Sequence, residues 1–96
     1  MASSKLIKAY KGGFLVDLHS AMVKDGTNIS IDEIDQLCKY YGDADKSCLD
    51  MTNQELHDVI EVAIQLGQQV GVKLEYPNEV KDDIDLDWNR TENSNQ

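Results

Sequence analysis

The sequence contains few of the side chains from which catalytic and metal sites are built. Among 96 residues there are two cysteines, Cys38 and Cys48, and two histidines, His19 and His57. No two of these four have the spacing of two to four residues that zinc ligands use. A nucleophilic cysteine would need a histidine and an orienting acid beside it, and adjacent residues such as His57 and Asp58 point apart on a helix. The sequence therefore predicts a protein that is not an enzyme and uses no metal ion and no cofactor.

Long apolar segments are also missing. No apolar run approaches the roughly 20 residues that span a bilayer, and no apolar N-terminal segment precedes a cleavage-like site. We therefore expect a cytoplasmic protein whose two cysteines are free thiols.

One acidic loop begins like a calcium-binding loop and then departs from it. Asp43, Asp45 and Ser47 stand at the first, third and fifth positions of such a loop. The sixth position is Cys48, where the turn requires glycine, and Glu55 arrives one residue too late to be the closing ligand. We interpret this segment as a solvated acidic loop.

Basic residues are scarce, and most of the chain carries an excess of acid. Nine lysine and arginine residues face eighteen aspartate and glutamate residues, which gives a net charge of −9. Residues 1–24 hold four lysines and one aspartate, a balance of +3, so residues 25–96 carry −12. This charge disfavours binding to nucleic acid or to an anionic membrane. A basic protein surface is the better partner.

Two capping boxes mark the starts of two helices. Thr52 with Glu55, and Ser30 with Glu33, have the spacing at which side chain and backbone satisfy each other at a helix start. The segment 52–70 has the longest helical periodicity and is apolar on more than one side, which is typical of a central helix. The other helix, 31–41, is expected to bury Ile31, Ile34, Leu37, Cys38 and Tyr41.

The residues around the 52–70 helix start carry two further expectations. Leu49 and Met51 are predicted to pack on the core as an anchor ahead of Thr52. His57, near the helix start, is interpreted as a partly exposed helix histidine.

The N-terminal region predicts two short helices separated by a break at Gly12-Gly13. A β-hairpin across the two glycines is the alternative. After Gly71, apolar residues at 72, 74 and 76 alternate with polar ones, which predicts a strand or an extended segment lying on the helices.

The predicted fold class is all-α: a small bundle of three to four helices with an extended C-terminal segment, with one short β pair as an alternative. We expect residues 1–77 to form a compact helical domain and residues 78–96 to form an acidic, partly flexible tail.

Acidic residues recur every three positions along the 52–70 helix, at Glu55, Asp58 and Glu61. Paired with the 31–41 helix, this helix allows a helix-turn-helix reading, but it contains no lysine or arginine and would repel DNA. Carboxylates about 5–6 Å apart present negative charge at intervals loosely similar to those of phosphates. We therefore predict that these three residues bind a basic partner. The simpler alternative is a solvated acidic face that maintains solubility.

The tail contains a second candidate binding element, which we call the C-terminal strip. It alternates acids with apolar residues and includes the only tryptophan of the chain: Asp82, Asp83, Ile84, Asp85, Leu86, Asp87 and Trp88. Such a strip can add to a partner's sheet edge or fill a groove rimmed by basic residues. The alternative is that it packs back on the protein's own helices, with Trp88 covering the core.

These features favour a small acidic, non-catalytic binding protein. It would inhibit a basic nucleic-acid-processing or host-defence protein by steric and electrostatic occlusion, without contacting nucleic acid itself. In type, and not in any motif, the chain resembles small inhibitor proteins such as phage-encoded blockers of host defence and bacterial immunity proteins. The alternative function is that of a structural or adaptor module that acts through homo-oligomerisation.

Overall fold

The computed structural model describes residues 2–78 and residue 80, and this part of the chain is helical. Its elements are α1 (Ser4–Ala9), a π-helical turn (Tyr10–Phe14), α2 (Leu15–Lys24), α3 (Ile31–Tyr41), a 3-10 turn (Cys48–Asp50) and α4 (Asn53–Gln69). The predicted small set of helices is confirmed. Within the described residues there is no strand, so the alternatives of an N-terminal hairpin and a short β pair are wrong there. No helix in this part of the chain has both the length and the apolar character that a bilayer span needs.

The first two helices form one continuous rod, so the predicted break at Gly12-Gly13 is wrong. The backbone passes through the π-helical turn, where the amide of Leu15 donates to the carbonyl five residues back. Buried residues recur every four positions along the rod, from Leu6 to Met22. Because four residues advance an α-helix about 40° beyond a full turn, the wider turn returns the later side chains to the core. Their burial outweighs a cost of about 1 kcal/mol for each glycine.

Helix α4 lies at the centre of the bundle, as its pattern predicts. It packs against α1, the π-helical turn, α2 and α3. Four of its buried residues are fully enclosed, namely Leu56, Val59, Ile60 and Ala63. The segment after α4 is extended rather than a paired strand, and Leu74 and then Val80 complete the core.

Both predicted capping boxes are present. The amide of Glu55 donates to the Thr52 hydroxyl at 3.2 Å, and the Thr52 amide donates to the Glu55 carboxylate at 3.1 Å. The same reciprocal pair joins Ser30 and Glu33, at 3.2 Å each way. Each box satisfies amides that the first helical turn leaves without partners.

Replacing Thr52 by alanine is expected to lower the free energy of unfolding by about 1 kcal/mol, because the cap of the central helix is lost. Chemical denaturation measures this change. Thr27→Ala is a suitable control, since Thr27 is exposed and no side-chain hydrogen bond of this threonine occurs in the described residues. Equal losses in the two variants would contradict the assignment of the cap.

Helix α4 ends just before Gly71. Val72 donates to the carbonyl of Gly67 at 2.8 Å and Gly71 donates to that of Gln68 at 3.2 Å, the pair of bonds that defines a Schellman motif. Gly71 has a φ of 81°. Helix α3 ends with the same pair of hydrogen bonds, but the residue in the left-handed conformation is Asp43, with a φ of 56°. This conformation is unfavourable for every residue that has a side chain.

Helix α3 buries fewer residues than its pattern predicts. Ile34 and Cys38 are buried and Leu37 is partly buried, but 38% of Ile31 and 64% of Tyr41 are exposed. Ile31 is the first residue of α3 and lies at the edge of the bundle. For Tyr41, the cause is the close approach of two backbones just beyond it.

This approach occurs at Gly42, the residue that ends α3. A Cβ added there would lie 3.2 Å from the Cα of Val59 on α4 and 2.9 Å from the carbonyl oxygen of Cys38. Because the backbones are so close, no side chain fits between them. The ring of Tyr41 therefore lies beside the contact and not within it.

The loop ahead of α4 is anchored by different residues from those expected. Met51 is fully buried, as predicted, but 51% of Leu49 is exposed and Cys48 is buried instead. The intervening 3-10 turn explains the exchange, since residues three apart lie on the same side of such a turn. Cys48 and Met51 therefore face the core together.

Candidate protein-binding surface

The solvent-facing side of α4 is the surface on which the predicted acidic residues lie. At 100° per residue, the buried residues of α4 occupy one side of the helix. The opposite side, which we call the outer face, consists of Gln54, Glu55, Asp58, Glu61, Val62, Gln65 and Gln69. No lysine or arginine occurs between residues 53 and 69. The outer face is therefore acidic over its first turns and neutral near its end.

The three predicted carboxylates differ in how freely they face solvent, and Glu55 is the most engaged. It belongs to the capping box and forms a salt bridge with Lys46 at 2.8 Å. The hydrogen bond from Lys46 and those from Thr52 hold the pKa of Glu55 below its usual value. Since α4 itself has no cation, the partner comes from the preceding loop, nine residues away.

Asp58 and Glu61 are the more accessible pair. Asp58 is exposed and accepts a hydrogen bond from the Gln54 side-chain amide at 3.0 Å. The side chain of Glu61 is 46% exposed, with an oxygen 3.6 Å from Nε2 of His57. In the described residues neither carboxylate has a lysine or arginine within salt-bridge distance. These two residues hold the negative charge that the outer face offers to a partner.

His57 is buried, so its interpretation as a partly exposed helix histidine is wrong. Only 8% of the residue is exposed. Its ring stacks on Tyr76, with centroids 5.5 Å apart and planes 4° from parallel. Tyr76 also meets Phe14 edge to face, with centroids 5.2 Å apart. The cause is tertiary: the extended segment after α4 folds back and places Tyr76 over the imidazole.

The hydroxyl of Tyr76 is buried and has no hydrogen-bond partner in the described part of the chain. Burial, and then the charges of Glu61 and Asp58, raise the pKa of Tyr76 above its usual value. A buried polar group without a partner costs about 1–3 kcal/mol. Tyr76 therefore carries an unfavourable polar atom on an otherwise well-packed ring.

Replacing Tyr76 by phenylalanine is expected to raise the free energy of unfolding by about 1 kcal/mol, because the unpaired hydroxyl is removed and the ring contacts remain. Urea denaturation checks this gain. Tyr76→Leu serves as the companion variant and is expected to be destabilised, since it also loses the stacking on His57. A loss of stability in the phenylalanine variant would show that the hydroxyl has a partner.

Near the end of the outer face, α4 and Tyr41 enclose a groove lined by both apolar and amide side chains. Its volume is about 430 Å³, and its lining residues are Tyr41, Val62, Gln65, Leu66 and Gln69. Tyr41 meets Tyr40 edge to face at 5.3 Å, and 77% of Tyr40 is exposed. The sequence did not predict this groove, because the helical pattern of α3 places Tyr41 in the core. No local pattern indicated the exposure of Tyr41, because it stands seven residues after Ile34 and three after Cys38, which is the spacing of the buried residues of α3.

A partly buried polar network pairs the charge of Asp35, whose side chain is 26% exposed. The hydroxyl of Tyr10, which is fully buried, donates to Asp35, and Lys39 forms a salt bridge with the same carboxylate at 2.9 Å. Burial, and then the charge of Asp35, raises the pKa of the neighbouring Cys38 to about 12. A thiol with so high a pKa is a poor nucleophile.

Cys38 and Cys48 are free and buried. Among the described residues, no three metal-ligating side chains come together. The C-terminal strip, 82–88, lies outside the described residues. No protein-family model, curated protein or solved structure matches this chain.

Proposed function

We propose that the protein is a non-catalytic binding protein that occludes a basic surface on a nucleic-acid-processing or host-defence protein. Glu55, Asp58 and Glu61, together with the C-terminal strip, form the partner-binding elements. The contact with the partner is electrostatic at the acidic part of the outer face and apolar at the groove lined by Tyr41 and Val62. Its effect is to keep the partner from its own anionic ligand.

The observation that carries the proposal is that, among the described residues, no lysine or arginine pairs with Asp58 or Glu61. A long, exposed helix face that is acidic and lacks every cation is unusual on a surface that serves solubility alone, where the two signs are mixed. The adjacent groove and the exposed Tyr40–Tyr41 pair add apolar area. Tyrosine is enriched at the centres of protein interfaces.

The alternative of a homo-oligomer built on the same face is disfavoured by charge. In a two-fold symmetric dimer each surface patch faces its own copy or a close neighbour of it. The outer face would then bring Asp58 and Glu61 of one chain near those of the other, and like charges repel. Light scattering over a range of protein concentrations separates the two functions, since only the oligomer predicts a rising mass.

The proposal is tested by affinity capture from a lysate of the source cells, with the wild type and with Asp58→Asn/Glu61→Gln as baits. We expect a basic nucleic-acid-binding protein to be retained and then released by competing duplex DNA. Neutralising both carboxylates is expected to lower its affinity about 10- to 100-fold, because each close charge pair at an interface contributes one tenfold factor or more. Binding is also expected to weaken steeply with salt.

The matched control is Asp17→Asn/Asp25→Asn, which removes the same charge from exposed carboxylates associated with α2. A third bait has residues 82–88 replaced by glycine and serine, and it measures how much the C-terminal strip contributes to the affinity for the partner. If the α4 and α2 variants weaken partner binding equally, net charge alone explains the effect, and this result would contradict a defined binding site. A partner that remains bound at high salt and in the α4 variant would also contradict the proposal.

A further inference from the structure

A second groove, on the N-terminal part of the molecule, has a lining that suits an acidic segment of chain. It lies where α1 enters the π-helical turn, beside the chain that leads out to the tail. Its volume is about 350 Å³, and its lining includes Lys5, Lys8, Gly12, Gly13, Pro77 and Val80. This groove is separate from the outer face of α4.

The rim of the groove is basic. Lys5 and Lys8 are exposed, and neither has a carboxylate partner among the residues that the structure describes. They lie in residues 1–24, which carry a balance of +3, whereas residues 25–96 carry −12. In a protein of net charge −9, two neighbouring lysines that have no carboxylate partner in the described part of the chain form a local site for an anionic group.

The floor of the groove is apolar and open. Ala9 and Val80 are buried beneath it. Gly12 and Gly13 contribute no side chains, and a Cβ added at either would meet nothing within 4 Å. The π-helical turn thus leaves free space next to the backbone, and single π-helical turns within α-helices occur frequently at functional sites. The volume is at the lower end of the range of about 300–1,000 Å³ for ligand pockets, which suits a single large side chain.

The chain itself carries a segment of matching chemistry that begins two residues beyond the groove. Val80 lines the groove, and the C-terminal strip starts at Asp82. Eight residues from Val80 to Trp88 reach at most about 26–29 Å, ample to return over the groove. A segment tethered this closely has an effective concentration of the order of millimolar.

We propose that in the free protein the C-terminal strip docks on this groove, with the Trp88 side chain in the apolar space and the flanking carboxylates paired with Lys5 and Lys8. The groove is the site and the strip is its intramolecular ligand. This inference goes beyond the proposed function because it concerns the protein alone. It can fail or hold whatever the partner of the α4 outer face is.

The test uses the fluorescence of Trp88, the only tryptophan in the chain. The full-length protein is expected to show blue-shifted emission and slow quenching by acrylamide. In Lys5→Glu/Lys8→Glu, attraction becomes repulsion, so the ratio of docked to undocked strip is expected to fall about tenfold. Raising the ionic strength from about 0.01 M to about 1 M, which shortens the Debye length from about 30 Å to about 3 Å, is expected to shift the wild type in the same direction.

Lys24→Glu is the control, since Lys24 is an exposed lysine of α2 outside the groove, and circular dichroism verifies the fold of each variant. Gly13→Leu tests the groove by filling it without changing charge and is expected to expose Trp88. Solvent-exposed emission from the wild type would overturn the proposal. So would protection that persists in Lys5→Glu/Lys8→Glu, or that appears only at high protein concentration and therefore comes from a second copy.

Discussion

Gly42→Ala is expected to lower the free energy of unfolding by about 2–3 kcal/mol, the upper part of the range for overpacking a well-packed contact. The added Cβ would lie 2.9 Å from the Cys38 carbonyl oxygen and 3.2 Å from the Cα of Val59. Both atoms belong to the backbone, so neither can move aside by rotating a side chain. The dihedral angles of Gly42, φ −83° and ψ 3°, are open to alanine, and the cost therefore comes from the contact.

The neighbouring residue supplies a control of opposite sign. Asp43 holds a left-handed conformation with a φ of 56°, which costs a side-chain-bearing residue about 1–2 kcal/mol. Asp43→Gly removes this cost, but glycine also makes the unfolded chain more flexible, which offsets part of the gain. The free energy of unfolding is therefore expected to rise by about 0.5–1 kcal/mol. Urea unfolding measures the free energy of unfolding of both variants, and its dependence on urea concentration is expected to have the same slope as in the wild type. Equal effects at 42 and 43 would contradict the close approach of α3 and α4.

The second large effect is expected in alkali. Burial raises the pKa of Cys38 to about 12, against a reference value of 9.0. Burial is also the main cause that raises the pKa of Tyr10 and of Tyr76 above their reference value of 10.0. In the folded protein these groups stay protonated, whereas in the unfolded chain they ionise above about pH 9–10. Below about pH 9 all three groups are protonated in both states, and as the pH rises further the ionisation of the unfolded chain lowers the free energy of unfolding.

The expected slope follows from linkage. Each group lowers the free energy of unfolding by up to about 1.4 kcal/mol per pH unit between its unfolded and folded pKa values. Above about pH 10 the three groups act together, with a combined slope of up to about 4 kcal/mol per pH unit. Denaturation at several pH values measures this slope, and tyrosinate absorbance marks the transition.

Two variants separate the contributions. Cys38→Ala removes the thiol and is expected to flatten the curve between about pH 9 and about pH 10, where the cysteine acts alone. Tyr76→Phe is expected to reduce the slope only at higher pH. Stability that stays constant from about pH 8 to about pH 11 would contradict the burial of these groups in the native state.

Much of the helix assignment followed from local patterns. The capping boxes at Ser30 and Thr52 and the stop at Gly71 involve partners within five residues of one another, so the sequence is sufficient to place them. The central role of α4 also followed, because its apolar residues extend beyond one stripe. The break expected at Gly12-Gly13 failed because local propensity is weaker than the burial of the rod's side chains.

The candidate surface was predictable only in part. The acidic residues of α4 and the absence of cations along it are properties of the sequence. Which carboxylates face solvent without a partner depends on the loop that brings Lys46 to Glu55. The groove beside Tyr41 depends on Gly42, because the contact of Gly42 with α4 leaves Tyr41 outside the core.

The sequence by itself determined the helices, their caps, the acidic balance and the positions of the acids on α4, because each depends on residues within a few positions of one another. Tertiary structure decided the rest: the continuous N-terminal rod, the burial of His57 under Tyr76, and the exposure of Tyr41. These outcomes depend on contacts between elements that are distant in the chain, where packing energies exceed the tenths of a kcal/mol to about 1 kcal/mol that separate local preferences.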